Sequence, residues 1–544
     1  MAVSRRVRTL SAALAVAGVV GMSGCGQAPN QRPTAEPVPQ QPSTATPSFK
    51  MPVEKPNLLM ITVDDLSSLD MDYLPSVKRL VGESGVTFTD AVAPTPICVP
   101  ARASLLSGQY AHNHGAHTIH GPDGGYPSFD DSATIATSLQ EEGYTTSFTG
   151  KYLNEYGENG SKHDVPPGWD EWRATVDPST YNYRGAKFNV NGRLVKPKGY
   201  STTVITKQAQ ASLKDAKKRA GLSGQVESPG SQPSNQPSNQ PSNQQAKPWF
   251  QWVNYVAPHL GGPTEKGDPK QRFPGTKGAI GVPVPDRQDR DAYADKPIPP
   301  QPNLFPKNRE GFPKGSPSRK KPTQVEKDAY RLSYQRRIES ARSLDRNIAS
   351  MLEGLKKSGE LARTLVVFTS DNGFSSGYHN FNGKLWYYQE TLGIPVLMSG
   401  PGVPKGREVG TPITNPDIAT TLLAAAGASD PHEPDGVDIL PWLSAPEQTR
   451  VVPIEAWPTS DGTSRLWSGV RVGRWTYVEL NTGGVELYDR RSDPYEMNNL
   501  ADDPAHARTR ARLAELTDKY RECAGETCPK RMYAANRPLD LAGL

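Results

Sequence analysis

Cysteine is the scarcest residue in this 544-residue chain, with four copies. That is too few to staple a fold of this size, so stability has to come from a hydrophobic core. Apolar residues are also few, at 35%. The 52 prolines and 49 glycines are unevenly spread, and several polar stretches dilute folded segments that must be richer than the mean. Charge of one sign is missing as well: 62 basic against 57 acidic residues leave a net +5. This excess is too weak and dispersed to predict a nucleic-acid partner, though it would not repel an anionic ligand. The apolar run at 10–22 is too short for a permanent membrane span. Length alone allows one large α/β domain plus a smaller second one and excludes a short binding module.

The N-terminus places Arg5, Arg6 and Arg8 ahead of that apolar run, which closes on Ser23-Gly24-Cys25. Small residues directly before a cysteine resemble a bacterial lipobox, with Met22 where leucine is more usual. Residues 1–25 are therefore expected to be a signal peptide, with Cys25 lipidated and the exported protein anchored on the extracytoplasmic side of the cell membrane. The alternative is an ordinary cleaved signal and a secreted protein. Arg5-Arg6 hints at twin-arginine export, but Arg8 and Thr9 stand where that signal has apolar residues. Residues 26–55 lack apolar periodicity and read as a disordered tether. In an exported chain Cys523 and Cys528, which enclose a short loop, suggest a local disulfide, the alternative being two unpaired surface thiols. Cys98 is then left without a partner in an oxidising compartment.

Between 56 and 440, strands and helices alternate in the manner of a parallel sheet with helices on both faces. Apolar runs at 58–63, 144–148, 249–256 and 365–369 read as strands, with 394–398 as a fifth. Tyr334, Ile338, Ala341, Leu344, Ile348, Leu352 and Leu355 recur at spacings of three and four, one face of a helix that should pack on the sheet. Two polar stretches interrupt the pattern: a disordered insert at 223–247 and a long Pro- and Lys-rich loop at 261–323. From 441 to 544, alternating runs at 470–478 and 485–488 and a helix at 505–520 predict a smaller subdomain, an antiparallel sheet plus a helix. The fold class is α/β, a large mixed but mainly parallel central sheet flanked by helices.

In open α/β sheets, ligands collect beyond the carboxyl ends of the strands. There the first strand delivers Asp64-Asp65, the second Gly150-Lys151, the third Pro258-His259 and the fourth Asp371-Asn372. One acidic pair alone reads as a turn or helix cap; four such strand ends together predict a site. The carboxylates are hard oxygen ligands and favour Ca²⁺ or Mg²⁺ over Zn²⁺. His112, His114, His117 and His120 follow in a loop without a geometric repeat. They read as loop packing or substrate lining, outside the metal site.

In Cys98-Val99-Pro100-Ala101-Arg102, Pro100 fits the first turn of a helix. Cys98 then lies at the positive end of the helix dipole with Arg102 one turn on, an arrangement that holds an anion. This segment, with the following Ala103-Ser104-Leu105-Leu106-Ser107-Gly108, closely resembles the signature of the sulfatase family, in which a modifying enzyme oxidises the cysteine to formylglycine. The similarity runs from Pro56 to about Pro529 apart from the two polar insertions. It takes in the strings at 57–65, 150–156, 257–259, 366–373, 414–423 and 486–500. The strings at 110–115 and 150–156 look most like the branch of N-acetylglucosamine-6-sulfatases and heparan-sulfate endosulfatases.

The resemblance implies an alkaline-phosphatase-like fold and hydrolysis of sulfate esters on a sulfated small molecule or glycan, by branch a sulfated amino sugar. Asp64, Asp65, Asp371 and Asn372, with the modified Cys98, would hold one Ca²⁺ per chain, and Arg102 would stabilise the hydrated aldehyde. Lys151 and Lys384 would clamp the sulfate, and His259, ahead of His379, would protonate the departing alcohol oxygen. One hydroxyl of the diol would attack sulfur; the other would later lose its proton as sulfate is expelled. A formylglycine-generating enzyme would be a transient partner. One departure stands out: many sulfatases carry a histidine two residues after the lysine of Gly-Lys to assist the diol, whereas this chain has Leu153-Asn154, and an amide cannot act as a base. Two rival readings remain, a phosphomonoester or phosphonate-ester hydrolase of the same superfamily and a lipid-anchored protein that binds sulfated glycans without turnover.

Overall fold

The computed structural model describes residues 47, 49–223, 247–269, 280–308, 310–460 and 462–535. The expected signal peptide, Cys25, most of the tether and nearly all of the 223–247 insert lie outside the described residues. The central sheet has ten strands: β1 (Asn57–Val63), β2 (Val86–Phe88), β3 (Thr145–Gly150), β4 (Glu171–Thr175), β5 (Phe188–Val190), β6 (Arg193–Val195), β7 (Trp249–Asn254), β8 (Thr364–Ser370), β9 (Val396–Ser399) and β10 (Arg407–Val409). Their order is β10-β2-β9-β8-β1-β7-β3-β4-β5-β6. The middle five, β8-β1-β7-β3-β4, are mutually parallel, with Leu58 opposite both Phe250 and Leu365. The strand expected at 394–398 joins the sheet as β9, antiparallel to β8 and β2.

A parallel strand covered on both faces reads as an unbroken apolar run, because successive side chains point to opposite sides. In β1, Leu58 and Met60 enter one core with Val99, Ala103 and Leu106 of helix α1 (Cys98–Ser107). Leu59, Ile61 and Val63 enter the other, with Val204 and Ile205 of α2 (Ser201–Ser223) and Leu344, Ile348 and Leu352 of α3 (Gln324–Lys357). Each of these buried side chains larger than alanine contributes on the order of 2 kcal/mol. The apolar stripe expected on α3 is thus the face laid on the sheet. Its start is fixed by a reciprocal cap, Thr323 Oγ1 accepting from the Glu326 amide and Glu326 Oε2 from the Thr323 amide at 2.6 Å. Helix α4 (Asn415–Ala426) packs beside α1 on the first face and stops at Gly427, φ +68°.

The described parts of 261–323 hold one 3₁₀ turn, Pro317–Arg319, and isolated bridges. After residue 441 a second sheet forms from β11 (Val451–Ala456), β12 (Trp467–Val472), β13 (Trp475–Leu480) and β14 (Val485–Asp489), antiparallel throughout, followed by α5 (Ala507–Tyr520). The alternating run expected at 470–478 is two strands, because Gly473, at φ +53°, turns the chain between them. Helix α2, too polar to show a clear stripe, and the short strands β2, β4, β5, β6 and β10 carried no sequence signal that singled them out. None of the described helices is long and apolar enough to cross a membrane.

Candidate active site

Four of the central parallel strands end at one place. β1 runs into Asp64 and Asp65, β8 into Asp371 and Asn372, β3 into Lys151, and β7 into Asn254, five residues before His259. Cys98 is the first residue of α1, whose N-cap Ile97 offers no side-chain acceptor. The open amides and positive dipole of that end therefore face the same point.

The contacts are short and almost fully buried. Cys98 Sγ lies 3.4 Å from Asp64 Oδ1 and 2.7 Å from Lys384 Nζ. Asp64 Oδ2 accepts from Lys151 Nζ at 2.5 Å. Lys384 also pairs with Asp65 Oδ1, which accepts from Asn372 Nδ2 at 2.7 Å. Arg102 Nε donates to Asp371 Oδ2 at 2.8 Å, and its Nη1 donates to the Lys151 carbonyl and to Asn254 Oδ1, both at 3.0 Å. His259 Nε2 stands 3.7 Å from Asp65 Oδ2, its Nδ1 bonded to the Leu260 carbonyl at 2.7 Å. Asp65 is held at φ +66°, a strained setting for a side chain with a Cβ. Two bonds fix it: its amide donates to Asp371 Oδ1 at 3.1 Å and its carbonyl accepts from Arg337 Nη2.

These neighbours set the protonation states. Burial favours the neutral acid at Asp64, but Lys151, His259, Arg102 and Lys384 outweigh it and hold the carboxyl well below the usual range. Burial and the Asp64 charge push Asp371 up to about 6 despite Arg102. Burial and the same charge push the Cys98 thiol up to about 12, so the unmodified side chain is a protonated, weak nucleophile. Burial draws the His259 imidazole down to about 4, against the pull of Asp64 and Asp65.

The oxygen donors suit a hard divalent cation. Asp65 Oδ2 and Asn372 Oδ1 are buried without a hydrogen-bond partner among the described residues, a costly condition unless another group completes them. Ligand atoms of Asp64, Asp65, Cys98 and His259 all lie within 4.8 Å of one another. Asp64 and Asp371 differ from Asp65 and Asn372, since both oxygens of each already accept from protein donors.

Every catalytic and metal-binding residue expected from the sequence thus meets at this edge. His379 does not: it is buried between Asn303 and Ser318 and stacked on Tyr388 with ring centroids 3.6 Å apart. The loop histidines also disperse. His112 pairs with Glu455, His114 with Ser104 and the Pro100 carbonyl, His120 with Glu155, and His117 stacks on Trp457. Cys523 and Cys528 form a disulfide. Leu153 is buried, and Asn154 Nδ2 donates to the Tyr181 hydroxyl at 3.0 Å.

Three residues went unforeseen. Asn254 is the polar end of an apolar strand, a usable signal. Arg337, a buried cation beside Ile338 on α3, was a second such signal. Tyr181 lies 5.0 Å below Lys151 Nζ and 4.6 Å from the His259 ring, and nothing local marked it.

The chain is similar to known proteins over most of its length. The sulfatase family model matches residues 56–223 and 236–428, and the model for the C-terminal part of N-sulphoglucosamine sulphohydrolase matches 377–522. An arylsulfatase of Volvox carteri is 27% identical over 525 residues, covering 87% of this chain and 76% of its own. The N-acetylglucosamine-6-sulfatase of Capra hircus is 26% identical over 527 residues, covering 87% and 85%. An extracellular sulfatase SULF-1 homolog of Drosophila melanogaster is 29% identical over 75% of this chain, which spans only 32% of that protein. A protein solved in complex with its substrate D-glucosamine-2-N,6-O-disulfate shares the fold, with a TM-score of 0.65 at 20% identity over 86% of this chain and 97% of its own. Matched by the family model over most of its length, the chain belongs to the sulfatase family, the hydrolases of sulfuric esters, beside the N-acetylglucosamine-6-sulfatases.

Proposed function

We propose that this sulfatase hydrolyses sulfate esters of amino sugars, using formylglycine made from Cys98 and one Ca²⁺ held by Asp64, Asp65, Asp371 and Asn372. The observation that carries the reading is the setting of Cys98. It opens an uncapped helix and lies within reach of Lys384 and the Asp64 carboxylate, and its burial, reinforced by that carboxylate's charge, keeps the thiol protonated. A cysteine so placed has no use as a thiolate. Oxidised to a hydrated aldehyde it would supply a hydroxyl nucleophile, with the cation lowering the cost of negative charge on oxygen.

The remaining residues have roles that follow from their contacts. Lys151 and Lys384 present ammonium groups to the sulfate oxygens, reinforced by the open amides of α1. Arg102, pinned at three acceptors, holds the Asp371 carboxylate and the Lys151 backbone in place. With its Nδ1 hydrogen on the Leu260 carbonyl, His259 turns a bare Nε2 toward the site, and protonated there beside the negative charge of a bound sulfate ester it would pass that proton to the departing ester oxygen. The amino-sugar substrate is supported by the goat relative and by the disulfated glucosamine in the solved neighbour.

Mass analysis of the peptide containing residue 98, from protein made in its own host, tests this reading. The expected species is formylglycine, and Cys98→Ala is expected to lower turnover of an aryl sulfate by roughly 10³-fold or more. An unmodified thiol with full turnover sinks it, a thiol without turnover favours glycan binding alone, and preference for the matched aryl phosphate favours the phosphoester alternative.

The enzyme is further proposed to work outside the cytoplasm on a lipid anchor at Cys25. The Cys523–Cys528 disulfide and the extracellular fly relative support export. Cys25→Ala should move the activity from the membrane fraction to the soluble one; activity that is soluble from the start rules the anchor out.

A further inference from the structure

A cation aimed at Cys98 is no better placed than the backbone that carries it, and the backbone of Lys384 is gripped from outside the central sheet. On its N-terminal side, Asn382–Gly383 pair with Ser375–Ser376. On the other side stands Leu385, at φ +83°, a conformation that a leucine does not hold unaided. Two hydrogen bonds hold it. Its amide donates to the carbonyl of Pro96, two residues before Cys98, at 3.1 Å, and its carbonyl accepts from the indole Nε1 of Trp467 at 2.9 Å.

Trp467 is the first residue of β12 and is 1% exposed. Its ring meets Tyr387 edge-on, with centroids 5.4 Å apart at 82°, and the Tyr387 hydroxyl donates to Glu486 Oε1 of β14 at 2.5 Å. The neighbouring strand β11 holds the segment before Cys98, since the Glu455 amide donates to the Pro94 carbonyl at 3.0 Å. The second sheet therefore touches both stretches of chain whose side chains meet at 2.7 Å as Lys384 Nζ and Cys98 Sγ.

We infer that Trp467 is a positioning residue for Lys384: its indole N–H holds the left-handed turn at Leu385 that aims the lysine at residue 98. The inference rests on the sulfate-binding role proposed for Lys384, and a double-mutant cycle separates the two. Lys384→Met alone should lower kcat/KM for an aryl sulfate by roughly 10²-fold or more. Trp467→Phe alone keeps an aromatic ring in the cluster but removes the donor. It should lower kcat/KM by about ten- to a hundred-fold, as expected for a displacement near 1 Å. In the Lys384→Met background the same change should cost less than about twofold.

A tryptophan that only supports the fold would cost the same factor in both backgrounds, which overturns the inference, as does a Trp467→Phe enzyme with full activity. If Lys384→Met is itself without effect, the role of Lys384 fails and this inference with it. Should Trp467→Phe not fold, Leu385→Val leaves the second sheet intact and, being β-branched, opposes the same left-handed turn. The cycle run with it should show the same dependence on Lys384, and equal losses in both backgrounds again overturn the inference.

Discussion

At the scale of single residues, the site is a balance of buried charge. Three carboxylates and three cations, Asp64, Asp65 and Asp371 with Arg102, Lys151 and Lys384, are packed together, and all but the partly exposed Lys384 are closed off from water. Charges so buried persist only because each is paired. Two acceptors in the same cluster, Asp65 Oδ2 and Asn372 Oδ1, are left over. A tightly bound cation would satisfy them, and because it binds the folded state alone it adds stability, about 2.7 kcal/mol at a hundredfold excess over Kd. Chelation should therefore lower both the thermal midpoint and the activity, and Ca²⁺ should restore both. A midpoint indifferent to chelator and to added Ca²⁺ would remove the metal from the proposal. Most of these residues were legible in the sequence because each closes an apolar run or sits in the Cys98 signature. Tyr181 was not, since its place between Lys151 and His259 exists only once β7 and the loop after β4 come together.

At the scale of elements, α1 shows how local sequence builds a site. Pro100 is tolerated in the first turn, where its missing N–H costs nothing. Gly108, at φ +72°, ends the helix, and the chain turns through Ala111–His114 to reach β11. That turn is fastened by His112, whose Nδ1 lies 2.7 Å from Glu455 Oε1 and whose Nε2 lies 2.8 Å from the Cys523 carbonyl. Burial alone would lower the imidazole pKa, but Glu455 and the carbonyl outweigh it and raise it above 6.5. A raised folded-state value means stability that is fully present below the unfolded pKa and lost as pH rises through the folded one. Replacing His112 by Asn should therefore cost more stability at pH 5.5 than at pH 9, read from denaturant unfolding. Equal losses at both would mean that the ion pair carries no weight. Nothing in the sequence linked His112 to Glu455, 343 positions away.

At the scale of the molecule, the described residues from Pro47 onward form one compact unit, although the sequence pattern changes near residue 440. The buried Arg450, just ahead of β11, pairs with Asp417 of α4, and the Val452, Ile454 and Trp467 side chains share a core with Tyr387, Tyr388 and Leu392. Cutting there would strand a buried carboxylate and expose that apolar cluster, losses of several kcal/mol. Calorimetry of the intact protein should show one cooperative transition, and a fragment of residues 47–440 should be inactive and readily proteolysed. Two separate transitions, or an active fragment, would make the second sheet an independent domain.

Short-range pattern alone determined the alternating α/β class, the central strands, the long helix and the residues delivered at the strand ends, because burial on two faces and a 3.6-residue period are properties of neighbouring positions. Position 98 was equally visible, since the helix start and the Cys-x-Pro-x-Arg signature lie within five residues. Only the tertiary structure decided that β9 runs antiparallel, that His379 is packed away while His259 faces the site, and that Leu385 is held by Trp467. Each of these depends on which distant segments become neighbours, and no spacing along the chain encodes that.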